Sequence, residues 1–406
     1  MKKTTIKLLV FAVLVGALVT SCQQDEPIIT PDDNDNTVRG SSSQIIPGQY
    51  IVVYNTERTG HAGRLFLGDR ENSARFVRER INEIFESNQL QKPTLIQVFS
   101  QTINGVALKL TDRELASLKK DSRVAYIEQD QIITLAPPKA AKPPGGGTSP
   151  QQTPWGITRV NGVSNYSGSN VAWIIDTGID FDHPDLNVDV SRSRSFLTSG
   201  GGSASSPEDE NGHGTHVAGT IGAYNNSIGV IGVAPGAKVV SVRVLNRQGS
   251  GTYSGVIAGV DYVGTHGSNG DVANMSLGGP VSQALDDAVV AASANGIKFC
   301  LAAGNESDNA NNHSPARANG NNIYTISAMR EGDTWASFSN FGNPPVDYCA
   351  PGVAVRSTWK NGGYNTISGT SMATPHAAGV LLLGSAKASG KVSGDPDGNP
   401  DTIISH

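Results

Sequence analysis

Five short, continuously apolar runs, separated by segments of helical period, constrain the fold more than any other feature of this chain. They are Val171–Ile175, Val239–Leu245, Val272–Met275, Phe299–Ala303 and Ile323–Ala328. Ser282 has the position of a helix N-cap, with Leu285, Val289 and Ala292 following on one helical face. Apolar strands alternating with helices predict an α/β fold with a doubly wound, mostly parallel sheet. In such sheets the chemistry gathers at the carboxyl ends of the strands.

This region, 154–406, is the last of five. Residues 1–21 read as an export segment: Lys2, Lys3 and Lys7 precede the apolar run Leu8–Val19. The run ends in Val19-Thr20-Ser21-Cys22, small residues before a cysteine that resemble the lipobox of bacterial lipoproteins, with Cys22 as the lipidated residue. An ordinary signal peptide beside a chance cysteine is the alternative, and export from a bacterial cell follows either way. Residues 22–44 are polar and acidic, a tether. Residues 45–136 carry strand patterns at Tyr50–Tyr54, Leu95–Phe99, Val106–Leu110 and Val124–Ile127. A helix face runs through Val77, Ile81, Ile84 and Phe85, and Thr111 with Glu114 has capping-box spacing. The order β-α-β-β-α-β predicts a small α+β, ferredoxin-like unit. Residues 137–153, rich in Pro and Gly, read as an accessible linker. The net charge of −5, without long runs of one sign, argues against a nucleic-acid partner. Nothing after residue 22 is apolar enough to span a membrane.

Three segments place reactive side chains at element ends. Asp176 follows the first apolar run directly and is followed by Gly178; a strand-end aspartate that caps a turn is the plain alternative. In Asn211-Gly-His213-Gly-Thr-His216, glycines flank His213 and leave room for another backbone or a substrate. Two histidines three apart suit zinc, yet no third ligand or glutamate base lies nearby, and His216 reads as structural. In Gly369-Thr-Ser371-Met-Ala-Thr-Pro375-His376, Ser371 starts a helix and Pro375 falls near its first turn. Free N–H groups and the helix dipole there favour an oxyanion, although a plain Ser cap is the commoner use. Together the three supply an acid, a base and a nucleophile in the order Asp, His, Ser.

These segments, from about Trp155 to Leu383, resemble the subtilisin-like serine peptidases. Asn274-Met-Ser-Leu-Gly-Gly279 and Ser337-Phe-Ser-Asn-Phe341 look most like the proteinase K-like branch. The resemblance implies a serine endopeptidase with Ser371, His213 and Asp176 as its triad. It implies Asn305, in Leu301-Ala-Ala-Gly-Asn305, as the oxyanion donor; from the residues alone, a turn asparagine is an equal reading. It places substrate along Gly249, Ser250, Gly251 and Tyr253, and along Ser276, Leu277 and Gly278. The first pocket is expected between Ser276–Gly279 and Ala302–Gly304, including Ala303 and Gly304, without charge, so cleavage is expected after apolar or aromatic residues. Glu306 and Asp308 lie just downstream and would favour basic residues if they turned inward. Residues 45–136 resemble the inhibitory propeptide of these enzymes, notably at Ile103–Leu108 and Val124–Glu128. The chain would then be a monomeric zymogen acting on proteins or peptides, cut in the linker and freed there from any lipid anchor at Cys22.

No cofactor is expected for catalysis. Structural calcium (Ca2+) is implied by the resemblance, with Asp347 as a carboxylate ligand; Asp395-Pro-Asp397-Gly-Asn-Pro-Asp401 has a calcium-loop look but lacks a terminal Glu. Cys300 and Cys349 could pair or remain buried thiols. Only 35 residues follow Ser371, where many relatives carry further helices, so a looser core is expected behind that helix. The rival readings are a catalytically silent scaffold on the same fold and an acyl-transferring ligase using the same triad.

Overall fold

The computed structural model describes residues 42–55, 70–135, 150–198, 204–384 and 386–406. The export segment, Cys22, nearly all of the tether and most of the linker lie outside the described residues.

The first unit has the order read from its sequence: β1 (Ser42–Tyr54), α1 (Arg70–Ser87), β2 (Leu95–Phe99), β3 (Gly105–Lys109), α2 (Asp112–Leu118) and β4 (Val124–Thr134). Its strands lie in the order β2-β3-β1-β4, antiparallel throughout. Side chains alternate across a strand, so β1 divides its residues between two faces. Val52 and Tyr54 pack with Val77, Ile81, Ile84 and Phe85 of α1, while Ile51 and Val53 join the core of the second unit. Thr111 and Glu114 form both bonds of the capping box.

The second unit comprises β5 (Ala172–Asp176), α3 (His213–Gly222), β6 (Lys238–Arg243), β7 (Ser250–Thr252), α4 (Tyr253–His266), β8 (Val272–Met275), α5 (Gln283–Ser293), β9 (Lys298–Ala302), β10 (Ile323–Arg330), β11 (Val346–Pro351), α6 (Thr370–Leu382), β12 (Lys387–Lys391) and β13 (Thr402–Ser405), among shorter pieces. The sheet order is β12-β13-β11-β10-β9-β8-β5-β6, parallel from β11 to β6. Helices α4 and α5 bury one face, α3 and α6 the other. From β5 the chain builds outward to β6, then returns to add β8 on the opposite side. The switch point therefore falls between the ends of β5 and β8, where a crevice opens in such sheets.

One expectation is corrected and one open alternative is decided. The region behind α6 is closed by the hairpin β12–β13: Ile403 and Ile404 are fully buried, and the His406 N–H donates to the Val160 carbonyl at 2.9 Å. Cys300 aligns with Tyr324 and Cys349 with Ser327, on opposite sides of β10. Two strand spacings, about 10 Å, exceed the reach of a disulfide. Both thiols are free and buried.

Candidate active site

Asp176 ends β5 and is wholly buried, held by the Thr177 N–H at 2.7 Å. His213 opens α3, with 6% of its surface exposed. Its Nδ1 lies 2.8 and 3.0 Å from the two Asp176 carboxylate oxygens, which fixes the ring and points Nε2 away. Burial opposes a charge on this imidazole, but the Asp176 carboxylate outweighs it and holds the pKa above the ordinary histidine value. The flanking glycines are sterically required. A methyl group on Gly214 would collide with the Gly178 carbonyl oxygen, and one on Gly212 with the Trp359 ring. Buried Asp209, which sequence reasoning missed, shapes the loop before the histidine. Its carboxylate accepts the N–H groups of Asn211, Gly212 and Thr215 and the hydroxyls of Thr177 and Thr215. Its only signal in the sequence was an acidic residue in Glu208-Asp-Glu210, indistinguishable from a solvated run.

Ser371 stands in the first turn of α6, which packs directly on α3. Its hydroxyl donates to the Ser276 carbonyl at 3.1 Å, and the Ser276 hydroxyl donates back to the Ser371 carbonyl at 2.8 Å. Pro375 lies in the helix interior, beyond the first turn expected for it. Lacking an N–H, it leaves unbonded the Ser371 carbonyl four residues earlier, the one Ser276 uses. The start of α6 and the chain leaving β8 are thereby tied across the switch point. Among the described residues no hydrogen bond joins Ser371 Oγ to His213 Nε2, and the Ser371 N–H has no acceptor. Asn305 Oδ1 accepts the N–H and hydroxyl of Thr370 at 2.8 and 3.0 Å. That pins the amide oxygen and leaves its Nδ2 as a donor beside the same helix end.

Leu277–Gly279 and Ala302–Gly304, the two segments expected to form the first pocket, line one pocket together with Asn305, Thr370 and Ser371; Ser276 is not among its lining residues. The expected absence of charge is corrected, because Glu306 and His313 line it as well. Asn340, fully buried, causes this. It donates to Glu306 Oε2 at 2.6 Å and to the Ala303 carbonyl at 3.0 Å, and accepts the N–H groups of Glu306 and Asp308. Leu135, just past β4, also lines the pocket. The strand before it pairs antiparallel with β7: Ile133 faces Gly251 and Thr134 faces Ser250, while the Leu135 N–H donates to the Gly249 carbonyl at 2.9 Å. Ile133 is fully buried, in the same core cluster as Tyr253 and Leu277, and its burial is worth about 1.5–3 kcal/mol. Tyr253 is fixed by a 2.6 Å bond to the Pro280 carbonyl.

The remaining candidates are apart. His216 bonds the Val355 carbonyl at 3.0 Å, and burial lowers its pKa to about 3, so it stays neutral. Asp347 is in β11, accepting the Thr325 N–H at 2.8 Å; burial raises its pKa to about 6. Among the described residues no three His, Cys, Asp or Glu side chains gather to hold a metal.

Residues 168–393 match the Subtilase family, and residues 49–136 match Peptidase inhibitor I9. The chain is 43% identical over 349 residues to an alkaline serine exoprotease A of Vibrio alginolyticus, covering 83% of this chain but only 60% of that protein. It is 35% identical over 383 residues to an extracellular serine proteinase of a Thermus species (strain Rt41A), covering 91% and 88%. The crystal structure of a cold adapted subtilisin-like serine proteinase, 40% identical, superposes with a TM-score of 0.52 over 62% of this chain and 97% of the other. The chain belongs to the subtilase family of serine endopeptidases, with an inhibitor-type propeptide ahead of its catalytic domain.

Proposed function

We propose that this chain is an exported endopeptidase zymogen that cleaves proteins by acyl transfer at Ser371. The seat of β4 carries the reading: a peptide strand already lies bonded along β7 and ends on the pocket that Ser371 lines. Main-chain pairing of this kind gives affinity with little demand on side chains. A rotation about the Ser371 Cα–Cβ bond turns its hydroxyl from Ser276 toward His213 Nε2, which takes the proton as Oγ attacks the scissile carbonyl. Asp176 stabilises the imidazolium, and the Ser371 N–H and Asn305 Nδ2 receive the oxyanion. His213 then protonates the leaving amine, and water resolves the acyl-enzyme. The mostly apolar pocket suits apolar or aromatic residues before the scissile bond.

Maturation belongs to the 137–153 linker, the chain that continues directly from Leu135. An organofluorophosphate tests the reading: it should label Ser371, while the Ser371→Ala chain stays full length. An unlabelled, inactive wild type would refute it. If Cys22 is lipidated, the uncut precursor should fractionate with membranes and the active enzyme should not. Calcium is proposed at Asp347, supported by a carboxylate that pairs with no cation among the described residues and that the nearby Asp401 makes less acidic. Carbonyl oxygens and water would complete the six to eight ligands calcium takes. Added calcium should raise the melting temperature of wild type more than that of Asp347→Asn.

A further inference from the structure

Apart from Asn305, Thr370 and Ser371 at the helix end, the pocket beside Ser371 is walled by apolar residues except where Glu306 and His313 line it. Glu306 Oε2 lies 3.7 Å from His313 Nδ1, and Asp308 Oδ2 lies 3.2 Å from His313 Nε2. The imidazole is thus held between two carboxylates. It is 14% exposed, Glu306 22% and Asp308 46%, so the inner carboxylate belongs to the pocket and the outer one to solvent. The arrangement is rigid: Asn340 clamps the Glu306 carboxylate and two N–H groups of its loop, and His313 is paired with Pro280 across a short antiparallel bridge.

A fixed carboxylate in a small apolar pocket would select cations. An uncharged side chain entering there would strip water from Glu306 and give nothing in return, which costs several kcal/mol unless the charge is paired. His313 is the group placed to pair it. Its hydrogen bond goes to Asp308, and at 3.7 Å from Glu306 it offsets that carboxylate by charge, as an imidazolium. We infer that His313 is the specificity-determining residue of this pocket. By offsetting Glu306, it opens the pocket to apolar and aromatic side chains that the carboxylate alone would turn away in favour of lysine and arginine. The inference rests on the assignment of Ser371 as nucleophile and of this pocket as the seat of the residue before the scissile bond.

The test uses mature enzyme from the full chain, with active sites counted by organofluorophosphate, and peptide anilides that differ only in Phe, Leu, Gln or Lys before the scissile bond. Wild type should favour Phe and Leu. His313→Gln should raise the Lys-to-Phe ratio of kcat/KM about ten-fold, the scale expected when one partly buried charge loses its partner. Glu306→Gln should lower that ratio, and the double variant should match Glu306→Gln. General damage to the fold lowers all substrates together and leaves the ratio alone. A ratio within two-fold of wild type in His313→Gln, with its active-site titre intact, overturns the inference but not the peptidase reading. A wild type that already prefers Lys overturns it too. If His313→Gln yields no titratable enzyme, Glu306→Gln decides, and an unchanged ratio there is fatal. Failure of wild type both to label and to cleave any anilide refutes the underlying peptidase reading instead.

Discussion

At the scale of single residues, Asp176 and His213 fix the pH dependence. The Asp176 carboxylate holds the His213 pKa above its ordinary value against the effect of burial, and the ring must be neutral to act as a base. Below that raised pKa the imidazolium is the stable form and the base is lost. The acid limb of kcat/KM should therefore lie above the ordinary imidazole range, about pH 6.5. Asp176→Asn removes the carboxylate, so the limb should move down while turnover drops by about 10⁴, as a pH profile on one anilide would show. With Asn305 as the proposed oxyanion donor, Asn305→Ala should cost about 10²–10³ in turnover with little change in KM, because the charge it would meet exists only in the transition state. Equal losses in binding and turnover would remove Asn305 from the oxyanion site.

Among elements, what the sequence revealed was local and what it hid was long-range. Continuous apolar runs gave five strands of the main sheet, and Thr111 with Glu114 gave a capped helix, because a strand buried on both faces and a helix end each leave a mark within a few residues. Asp176, His213 and Ser371 were legible for the same reason, each standing at an element end among glycines. Asn340 and Glu306 were not, since their bond spans 34 positions and couples two loops. Only the folded chain shows that Glu306 turns inward, and the same holds for the Ser276–Ser371 pair across 95 positions. Gly214 falls between these cases: a glycine beside His213 was evident, but the carbonyl that excludes a side chain there belongs to Gly178. Gly214→Ala should push α3 off the end of β5 and destabilise the chain by about 1–3 kcal/mol. Urea unfolding of the variant in a Ser371→Ala background measures this, and an unchanged midpoint would mean that the helix shifts without cost.

For the molecule as a whole, the four-stranded propeptide sheet takes β7 as its fifth strand, and its grip on the catalytic domain should depend on pH. Glu128 accepts the Ala284 N–H at 3.0 Å and the Ser282 hydroxyl at 2.8 Å, capping α5, and Tyr126 donates to Asp287 at 2.5 Å. Asp261 accepts the N–H groups of Gln101 and Thr102 at 2.9 and 2.8 Å. These contacts crowd carboxylates into a dry interface. Burial raises the pKa values of Glu128 and Asp261 and lifts Asp286 to about 7, with Glu128 and Asp287 adding to the rise and Arg317 opposing it. A carboxylate more basic in the docked state than in the free state takes up a proton on docking. Docking is therefore strongest below the free pKa, about 4, weakens as pH rises toward the docked value near 7, and levels off above it. The uncleaved Ser371→Ala chain should accordingly lose thermal stability between pH 4 and 7, to the extent that undocking is part of its unfolding. Asp286→Asn, which keeps the shape and removes the charge, should flatten that decline and leave the variant more stable than its parent at pH 7. A stability that instead rises across the window, in both chains alike, would show that carboxylates elsewhere dominate and that the interface does not sense pH.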